Sequence, residues 1–326
     1  MIHKIASLYI ATVIGAGFAS GREIVEFFAR FGSWGLVGIL IATMILSKYG
    51  GKALGKCVQL NVVNYQELIE KLSKTAVPII DLLYTVFLLL GTSIMFSGAG
   101  EAIQRLTGIP GGMHFTALLV FIAIIKGSKT VLAINGYLVP VMIVMMGYIS
   151  IATVIRGQLS LPPGNLLAIP YGVLYGAYNY GFSLAVFAGV SRVVKNKHEA
   201  GWGGVVGGLV LGAIILLVVL ALYSVPGQVL NMSMPMLELA YLISPTAAIL
   251  YTVVIWMAMY TTALSHAVAV TQRIYRYCGN RQWVAVLLVL LITLLIARVG
   301  FAPLITVTYP AFGVIGFFLL WRMLRL

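Results

Sequence analysis

Long apolar segments separated by short polar turns run through the whole chain. Their lengths predict ten membrane-spanning helices, at residues 5–30, 34–57, 78–106, 113–126, 130–155, 169–193, 202–225, 245–277, 282–297 and 301–324. Two shorter segments have the pattern of helices that lie at a membrane surface, Asn64 to Lys74 and Met236 to Ile243. The pattern therefore predicts an all-α integral membrane protein.

The two halves of the chain repeat the same order of features. Spans three and eight are both long, spans four and nine are both short, and the turn from Gly32 to Gly38 is echoed from Gly201 to Gly207. The offset between the copies is about 165 residues. Because five spans is an odd number, the second copy must enter the membrane from the opposite side. We predict a 5+5 inverted repeat, with residues 1–156 as one unit and 157–326 as the other, which is typical of secondary transporters.

The first span of each half has an unusual centre. Gly15, Gly17 and Gly21 lie in the middle of span one, and residues 178–181 (Tyr-Asn-Tyr-Gly) occupy the matching place in span six. Glycine weakens a helix, and unpaired backbone groups are tolerated in hydrocarbon only where they face protein or a watery cavity. We predict that helices 1 and 6 are broken at the membrane midplane. Close helix packing through small residues is the alternative.

Composition and charge narrow the class of protein. Of 326 residues, 61% are hydrophobic and 9% charged, with a mean hydropathy of +1.04, which excludes a water-soluble domain. The net charge of +13 falls in short clusters between spans, so it indicates topology rather than nucleic-acid binding. With the N-terminus inside, 16 of the 21 basic residues are cytoplasmic; the others are Arg22, Arg30, Arg105, Arg156 and Arg298. We expect a bacterial cytoplasmic membrane protein in contact with lipid, with both termini cytoplasmic and no obligate protein partner.

Broken helices would bring backbone groups to the centre of the membrane. The half-helix after the first break has free N–H groups and a positive dipole end, which suit a carboxylate. The outer half of span six would leave carbonyl groups for an ammonium. The candidate substrate ligands are Gly15, Ala16, Gly17, Phe18, Ser20, Gly21, Tyr178, Asn179 and Tyr180. Ordinary packing is the alternative for the tyrosines, whereas Asn179 needs a polar partner in mid-membrane.

Span eight has the pattern of a cation site at residues 258–262 (Ala-Met-Tyr-Thr-Thr). Positions i, i+3 and i+4 share a helix face, so the Ala258 carbonyl and the hydroxyls of Thr261 and Thr262 converge. Neutral oxygen ligands of this kind suit Na⁺. The alternative is that both hydroxyls donate to carbonyls of their own helix. Tyr260 is a further candidate for substrate contact, with core packing as its alternative.

Charged residues just past the first break allow three interpretations. Arg22 could pair with Glu101 as an extracellular gate in a closed state, or Glu23 could take up a proton and couple transport to H⁺. The third interpretation is a simple Arg22–Glu26 pair on the protein surface, at i, i+4. We favour the gate or the simple pair over proton coupling.

The first helix also resembles that of a known superfamily. Residues 14–18 (Ile-Gly-Ala-Gly-Phe) are similar to the Gly-x-Gly motif of the amino acid–polyamine–organocation superfamily, which has the LeuT-like fold. The string from Gly15 to Glu23 resembles the YkvI-like group of bacterial membrane proteins, regarded as amino acid permeases. This resemblance implies that span three crosses the substrate site, at Thr92 and Ser93.

The same resemblance implies a second half for the cation site. In sodium-coupled members, an Ala-x-x-(Ser/Thr)-(Ser/Thr) string meets two carbonyls of the first helix, which by position belong to Ala11 and Ile14. Some sodium-independent relatives place a lysine in span five instead, and this chain has none between Lys129 and Arg156. The resemblance therefore favours Na⁺ as the coupling ion.

Together these features favour a Na⁺-coupled symporter for a small amino acid or a related zwitterion or amine. A proton-coupled transporter of the same fold, a ligand-sensing membrane subunit on a transporter scaffold and a channel are the alternatives. An enzyme is not expected, because the chain has no His-Glu-x-x-His or Gly-x-Ser-x-Gly motif.

Overall fold

The computed structural model describes residues 1–62, 65–72, 77–127, 135–190, 194, 196–279 and 281–325, and this part of the chain contains helices and turns but no β-strand. We number the helices α1 Ile2–Val13, α2 Ala16–Ala19, α3 Arg22–Phe27, α4 Trp34–Met44, α5 Gly50–Gln59, α6 Tyr65–Leu72, α7 Val77–Thr107, α8 Gly112–Lys126, α9 Asn135–Arg156, α10 Ala168–Val190, α11 Lys197–Leu222, α12 Pro235–Ile243, α13 Pro245–Ile274, α14 Gln282–Ala297 and α15 Phe301–Leu324. A π-helical turn, Ile45–Tyr49, joins α4 to α5.

Six of these helical segments are long and apolar enough to cross a membrane, and they are Trp34–Gln59, Val77–Thr107, Tyr137–Arg156, Lys197–Leu222, Pro245–Ile274 and Phe301–Met323. Three shorter apolar helices, α1, α8 and α14, lie among them. Leu40, Val144 and Val307 are about 70% exposed on outward faces, where lipid would cover them. The chain is therefore a multi-pass membrane protein.

Helices from the two halves interlock. α7 packs along α13, α1 packs on α11, and α4 packs on α10. Glycine allows the closest of these approaches: a Cβ added to Gly208 would lie 2.3 Å from the Ser47 amide, and one added to Gly172 would lie 2.5 Å from the Gly38 carbonyl oxygen. Much of the core therefore lies between the halves, and residues far apart in sequence meet there.

Span one is interrupted twice. α1 ends at Val13, Ile14 and Gly15 have extended backbone, and the Gly15 amide donates to the Val13 carbonyl at 3.0 Å instead of continuing the helix. Among the described residues, no backbone amide or side-chain donor reaches the carbonyl oxygens of Ala11 and Ile14. The second interruption is at Gly21, whose φ of +78° favours glycine.

The predicted break in span six is wrong, because α10 runs without interruption from Ala168 to Val190. The Asn179 side-chain amide donates to the Tyr175 carbonyl at 3.2 Å, and the Ser183 hydroxyl donates to the Asn179 carbonyl at 2.7 Å. Polar groups therefore find partners within the same helix, without unwinding it. A Cβ added to Gly181 would lie 3.2 Å from Gly316 Cα, so this glycine permits close packing on α15, as the alternative proposed.

The predicted surface helices are placed as follows. α12, Pro235–Ile243, occupies the position of the second one. α6 runs from Tyr65 to Leu72, while the predicted ends of that helix, Asn64 and Lys74, lie outside the described residues. Three further basic residues of the predicted topology, Lys129, Arg192 and Lys195, also lie outside them.

Candidate functional site

A cavity of about 240 Å³ lies at the first interruption of span one, and we call it the central cavity. Helices from both halves enclose it, which places apolar, aromatic and ionisable side chains around one space. Its lining comprises Thr12, Val13, Gly15, Ala16, Gly17 and Glu23 from span one, Tyr84, Phe87, Gly91 and Met95 from α7, Tyr178, Asn179, Phe182 and Val186 from α10, Thr262 and His266 from α13, and Tyr309 from α15.

The carboxyl group of Glu23 is the charged centre of this cavity. Gly21 turns the chain, so that Glu23, in the first turn of α3, points back to the interruption at Gly17. A Cβ added to Gly17 would lie 3.0 Å from Glu23 Oε2 and 2.9 Å from the Tyr309 hydroxyl, so glycine leaves room for both. Glu23 is 3% exposed, its Oε1 has no hydrogen-bond partner, and it forms no ion pair within the described residues. A buried carboxylate without an ion-pair partner is costly, so this group calls for a cationic ligand or a proton.

Aromatic rings form much of the wall beside Glu23. Tyr178 stacks on Tyr309 with ring centroids 4.9 Å apart and an angle of 22°. Phe87 packs against Phe182 with centroids 4.0 Å apart. Aromatic faces carry partial negative charge and attract cations. A carboxyl group among ring faces therefore favours a positively charged ligand.

His266 lies in the same wall, one helical turn beyond Thr262. Its Nδ1 packs against Gly91, where an added Cβ would approach within 2.7 Å. Within the described residues this buried Nδ1 has no hydrogen-bond partner. The i, i+4 spacing from Thr262 is the sequence signal that places His266 on the same helix face as Thr262.

Other lining residues had no comparable signal in the sequence. Tyr309 comes from the last span, and Phe87 and Phe182 come from apolar stretches in which many aromatic residues face lipid or core. Helix packing alone selects these rings for the cavity.

The predicted substrate ligands fall into two groups. Gly15, Ala16, Gly17, Tyr178 and Asn179 line the central cavity. Because α10 is continuous, residues 178 and 179 contribute side chains there rather than free carbonyl groups.

The remaining candidates lie elsewhere. Phe18 is fully buried, and the Ser20 hydroxyl donates to the Gly17 carbonyl at 2.7 Å. The hydroxyls of Thr92 and Ser93 donate to carbonyls one turn back in α7, at 2.8 and 2.9 Å, while Gly91 and Met95 face the cavity. Outside the central cavity, Gly21 packs on Met236, Tyr260 stacks beside Trp256 with centroids 6.0 Å apart, and Tyr180 lines a different cavity.

Of the predicted cation ligands, Thr262 lines the central cavity and Ala11, Ile14, Ala258 and Thr261 do not. Thr262 lines the central cavity together with Thr12 and Gly15. The Thr261 hydroxyl donates to the Met257 and Ala258 carbonyls, at 3.0 and 3.2 Å, as the alternative proposed. A hydroxyl that donates in this way keeps its oxygen lone pairs available to a cation.

Span eight is anchored to span one about two helical turns before Ala258. α13 packs against α2, and the Tyr251 hydroxyl donates to the Ala19 carbonyl at 2.6 Å. On the span-one side, the carbonyl oxygens of Ala11 and Ile14 are without donors among the described residues. The interruption of span one thus leaves the two carbonyl groups that the superfamily resemblance implies as cation ligands without a hydrogen bond from the described residues.

The expected pair between Arg22 and Glu101 does not form in this structure. Arg22 pairs instead with Glu26 at 3.5 Å, one turn along α3, and its Nη1 donates to the Leu230 carbonyl at 3.2 Å. Glu101 lines a separate pocket that also includes His114. Helix geometry decides this outcome, because Glu26 at i+4 is within reach without any movement of α7.

Glu26 is the centre of a buried ion-pair network. The side chain is fully buried, pairs with both Arg22 and Arg30, and accepts a hydrogen bond from the Thr306 hydroxyl at 3.1 Å. This network ties the outer part of span one to α15. The Arg22–Glu26 alternative is therefore correct as a pair, although it is buried rather than on the surface.

Two curated proteins are similar to the chain over nearly its whole length, while no protein-family profile matches it. It is 27% identical to the uncharacterized membrane protein YkvI of Bacillus subtilis (strain 168) over 322 residues, 96% of this chain and 92% of YkvI. It is 25% identical to the uncharacterized protein YyaD of the same organism over 319 residues, 96% of this chain and 93% of YyaD. This chain is a homologue of YkvI and YyaD. The resemblance of the first helix to the YkvI-like group is thus confirmed.

Solved transporter structures share the fold. The inward-facing conformation of Mhp1 aligns with 97% of this chain and 73% of Mhp1, at a TM-score of 0.61 and 15% identity. A second similar structure is the Eremococcus coleocola manganese transporter in complex with an aromatic bis-isothiourea substituted compound. The alignment covers 91% of this chain and 70% of that transporter, with a TM-score of 0.59 and 15% identity. Mhp1 is a nucleobase-cation-symport-1 family transporter. The YkvI homologue therefore has the LeuT-like transporter fold that the sequence predicts.

Proposed function

We propose that this YkvI homologue is a secondary transporter that moves a small amine-bearing solute, an amino acid or an organic amine, by alternating access. The observation that carries the proposal is the unpaired carboxyl group of Glu23 in the central cavity of about 240 Å³. Pockets for drug-sized ligands usually measure about 300–1,000 Å³, so this cavity suits a smaller solute.

The substrate's ammonium group would pair with Glu23 and lie against the rings of Tyr178 and Tyr309. A charge-assisted hydrogen bond of this kind is stronger in a buried site than in water. If the substrate is an amino acid, its carboxylate would face the free N–H groups of Ala16 and Gly17 at the start of α2. The ammonium end of a zwitterion would thus be held by Glu23 and the carboxylate end by the start of α2.

The proposed architecture is ten spans in an inverted repeat, with units 1–156 and 157–326 and the interruption of span one near the membrane midplane. Pairs of packed helices support it, since the contact of span one with span seven (α1 on α11) has its counterpart in span six with span two (α10 on α4). Likewise, span three with span nine (α7 on α14) matches span eight with span four (α13 on α8). A pseudo-two-fold axis between the halves produces such pairs, because it places each helix of one half where its counterpart lies in the other.

The proposed conformation is open toward the N-terminal, cytoplasmic side. Lys4, Ser7, Leu8 and Ala11 form one exposed face of α1 that leads toward Thr12 in the central cavity. The likeness to the inward-facing form of Mhp1 supports the same state.

We propose Na⁺ as the coupling ion, held by the carbonyls of Ala11, Ile14 and Ala258 and the hydroxyls of Thr261 and Thr262. The carbonyl oxygens of Ala11 and Ile14, which receive no hydrogen bond from the described residues, and the cavity-facing Thr262 support this set. A proton is the second candidate, because an unpaired buried carboxyl group such as Glu23 can be neutralised by protonation. Uptake driven by a pH gradient in Na⁺-free buffer would favour the proton.

The decisive experiment combines ligand binding with flux. Glycine, choline, putrescine and uncharged uracil are screened by thermal shift with and without Na⁺, and ligands that stabilise the protein are tested for uptake in proteoliposomes. Glu23→Gln keeps the side-chain size but removes the charge, so it should weaken binding of an amine ligand at least tenfold, with Glu101→Gln as the control.

Three results would contradict the proposal. Undiminished amine binding by Glu23→Gln would remove the role of this carboxyl group. Binding by the wild type without any flux would indicate the ligand-sensing alternative. Current that continues without turnover would indicate a channel.

A further inference from the structure

A second cavity, of about 520 Å³, lies on the face of the bundle that carries the N-terminus. It is bounded by the π-helical turn and α5 on one side and the start of α11 on the other, with Met323 of α15 at one end. On this face, Gly203 of α11 packs on Ile5 of α1. We call this cavity the basic groove, after the residues Lys48, Lys52, Lys56, Lys197 and His198 that line it.

The lysines of the basic groove converge without a counter-charge. Lys48, Lys52 and Lys56 follow one another at i, i+4 and i+8, so they share a face of the helix that fronts Lys197. No carboxylate of the described residues forms an ion pair with any of them, and Glu199 does not line the groove. Membrane topology explains basic residues on this face, but it does not require four of them around one cavity.

Tyr180 provides an independent sign of a ligand. It lines the groove although its side chain is only 1% exposed, and none of the hydrogen bonds among the described residues involves its hydroxyl. Buried tyrosine hydroxyls normally find a partner. Its neighbours Tyr178 and Asn179 line the central cavity, so α10 presents Tyr180 alone of these three to the groove.

We propose that the basic groove binds the phosphate of an anionic phospholipid from the cytoplasmic leaflet. The groove is larger than a single anion needs, and its walls include apolar side chains such as Ala53 and Val205. Trp202 lines it and is 60% exposed, as is typical of a side chain at the membrane–water interface. Lysines near a membrane surface attract anionic lipid, at about 1 kcal/mol each. The lipid phosphate thus lies among the lysines and the Tyr180 hydroxyl, with its glycerol and first methylenes along the apolar wall.

The test uses the full chain purified in a neutral detergent. Phosphatidylglycerol and zwitterionic phosphatidylcholine are titrated separately, and both the unfolding midpoint and the lipid stoichiometry by native mass spectrometry are measured. Phosphatidylglycerol should raise the midpoint and show one saturable site, whereas phosphatidylcholine should not. Lys52→Gln with Lys56→Gln should weaken the apparent affinity by about fivefold for each lysine.

Two further variants make the result specific. Tyr180→Phe leaves the charge unchanged and should weaken phosphatidylglycerol binding severalfold, while its lipid-free midpoint shows that it folds. Lys4→Gln with Lys126→Gln removes the same charge from exposed positions outside the groove and should bind as the wild type. Equal loss in this control, equal binding of the two lipids, or equal stabilisation by inorganic phosphate would overturn the proposal.

Discussion

The backbone amide of Met236 donates a hydrogen bond to the carbonyl oxygen of Ser20 at 3.0 Å. Ser20 ends the single turn of α2, and Met236 lies in the first turn of α12, so the bond joins the second interruption of span one to a helix outside that span. Gly21 makes the approach possible, because a Cβ there would lie 2.8 Å from Met236 Cγ. α12 thus packs against the second interruption and against α3.

Gly21→Ala should lower the unfolding midpoint and loosen α12. The φ of +78° costs a residue with a Cβ about 1–2 kcal/mol, and the added methyl group would also displace Met236. Thermal unfolding and hydrogen exchange of residues 235–243 measure the two effects. Gly15→Ala is the matched control, since Gly15 has a φ of −109° and no atom within 4 Å of an added Cβ. Equal midpoints for the two variants would refute the role of Gly21.

Glu26→Gln should destabilise the protein far more than Glu238→Gln. Glu26 is fully buried between Arg22 and Arg30, and removing one member of a buried ion pair typically costs about 3–5 kcal/mol. Glu238 pairs at 2.7 Å with Arg105, whose side chain is 52% exposed, and exposed pairs contribute about 0–1 kcal/mol. Chemical or thermal unfolding of both variants in the same detergent gives the comparison. Similar losses would show that burial of Glu26 does not matter.

Gly17→Ala should lower the affinity for the transported amine at least tenfold. The new methyl group would lie 2.9 Å from the Tyr309 hydroxyl and 3.0 Å from Glu23 Oε2, so it must displace one of them. Adding Tyr309→Phe removes the hydroxyl that lies nearer to the new methyl group, so the double variant should regain part of the affinity. If Gly17→Ala simply unfolded the protein, the second substitution would restore nothing. Gly147→Ala, with no atom within 4 Å of the added Cβ, should bind as the wild type. If the loss of affinity in the double variant equals the sum of the losses in the two single variants, the proposed clash at Gly17 is wrong.

Thr262→Val should abolish stabilisation by Na⁺ while the protein remains folded. Its hydroxyl faces the central cavity, and no hydrogen bond to another described residue competes for its oxygen. Thr261→Ala combined with Thr262→Ala should have the same effect on Na⁺-stimulated uptake. Ser265→Ala is the control, because Ser265 donates to the Thr261 carbonyl at 2.8 Å and does not line the cavity. An unchanged Na⁺ response in Thr262→Val would exclude the proposed ion site.

Spans one and six differ in how well their own residues predict a break in the helix. A run of glycines weakens a helix by its own chemistry, and α1 ends at Val13, just before that run. Asn179 was expected to need a polar partner, and the Tyr175 carbonyl one turn back in the same helix is that partner, so α10 is continuous. A single polar residue therefore predicts a break poorly, because its own helix can satisfy it.

The sequence by itself determined the membrane class and the positions of the long apolar helices, because the hydrophobicity of a segment is a property of that segment alone. Its resemblance to a known superfamily in the first helix indicated the LeuT-like fold. Only the tertiary structure decided which side chains meet. Glu23, His266 and Tyr309 come together because α3, α13 and α15 pack around one cavity, and Gly91 rather than Thr92 or Ser93 faces it because of the rotation of α7. That rotation depends on what each neighbouring helix presents, such as the ring of His266 against Gly91, and no local pattern in α7 contains this information.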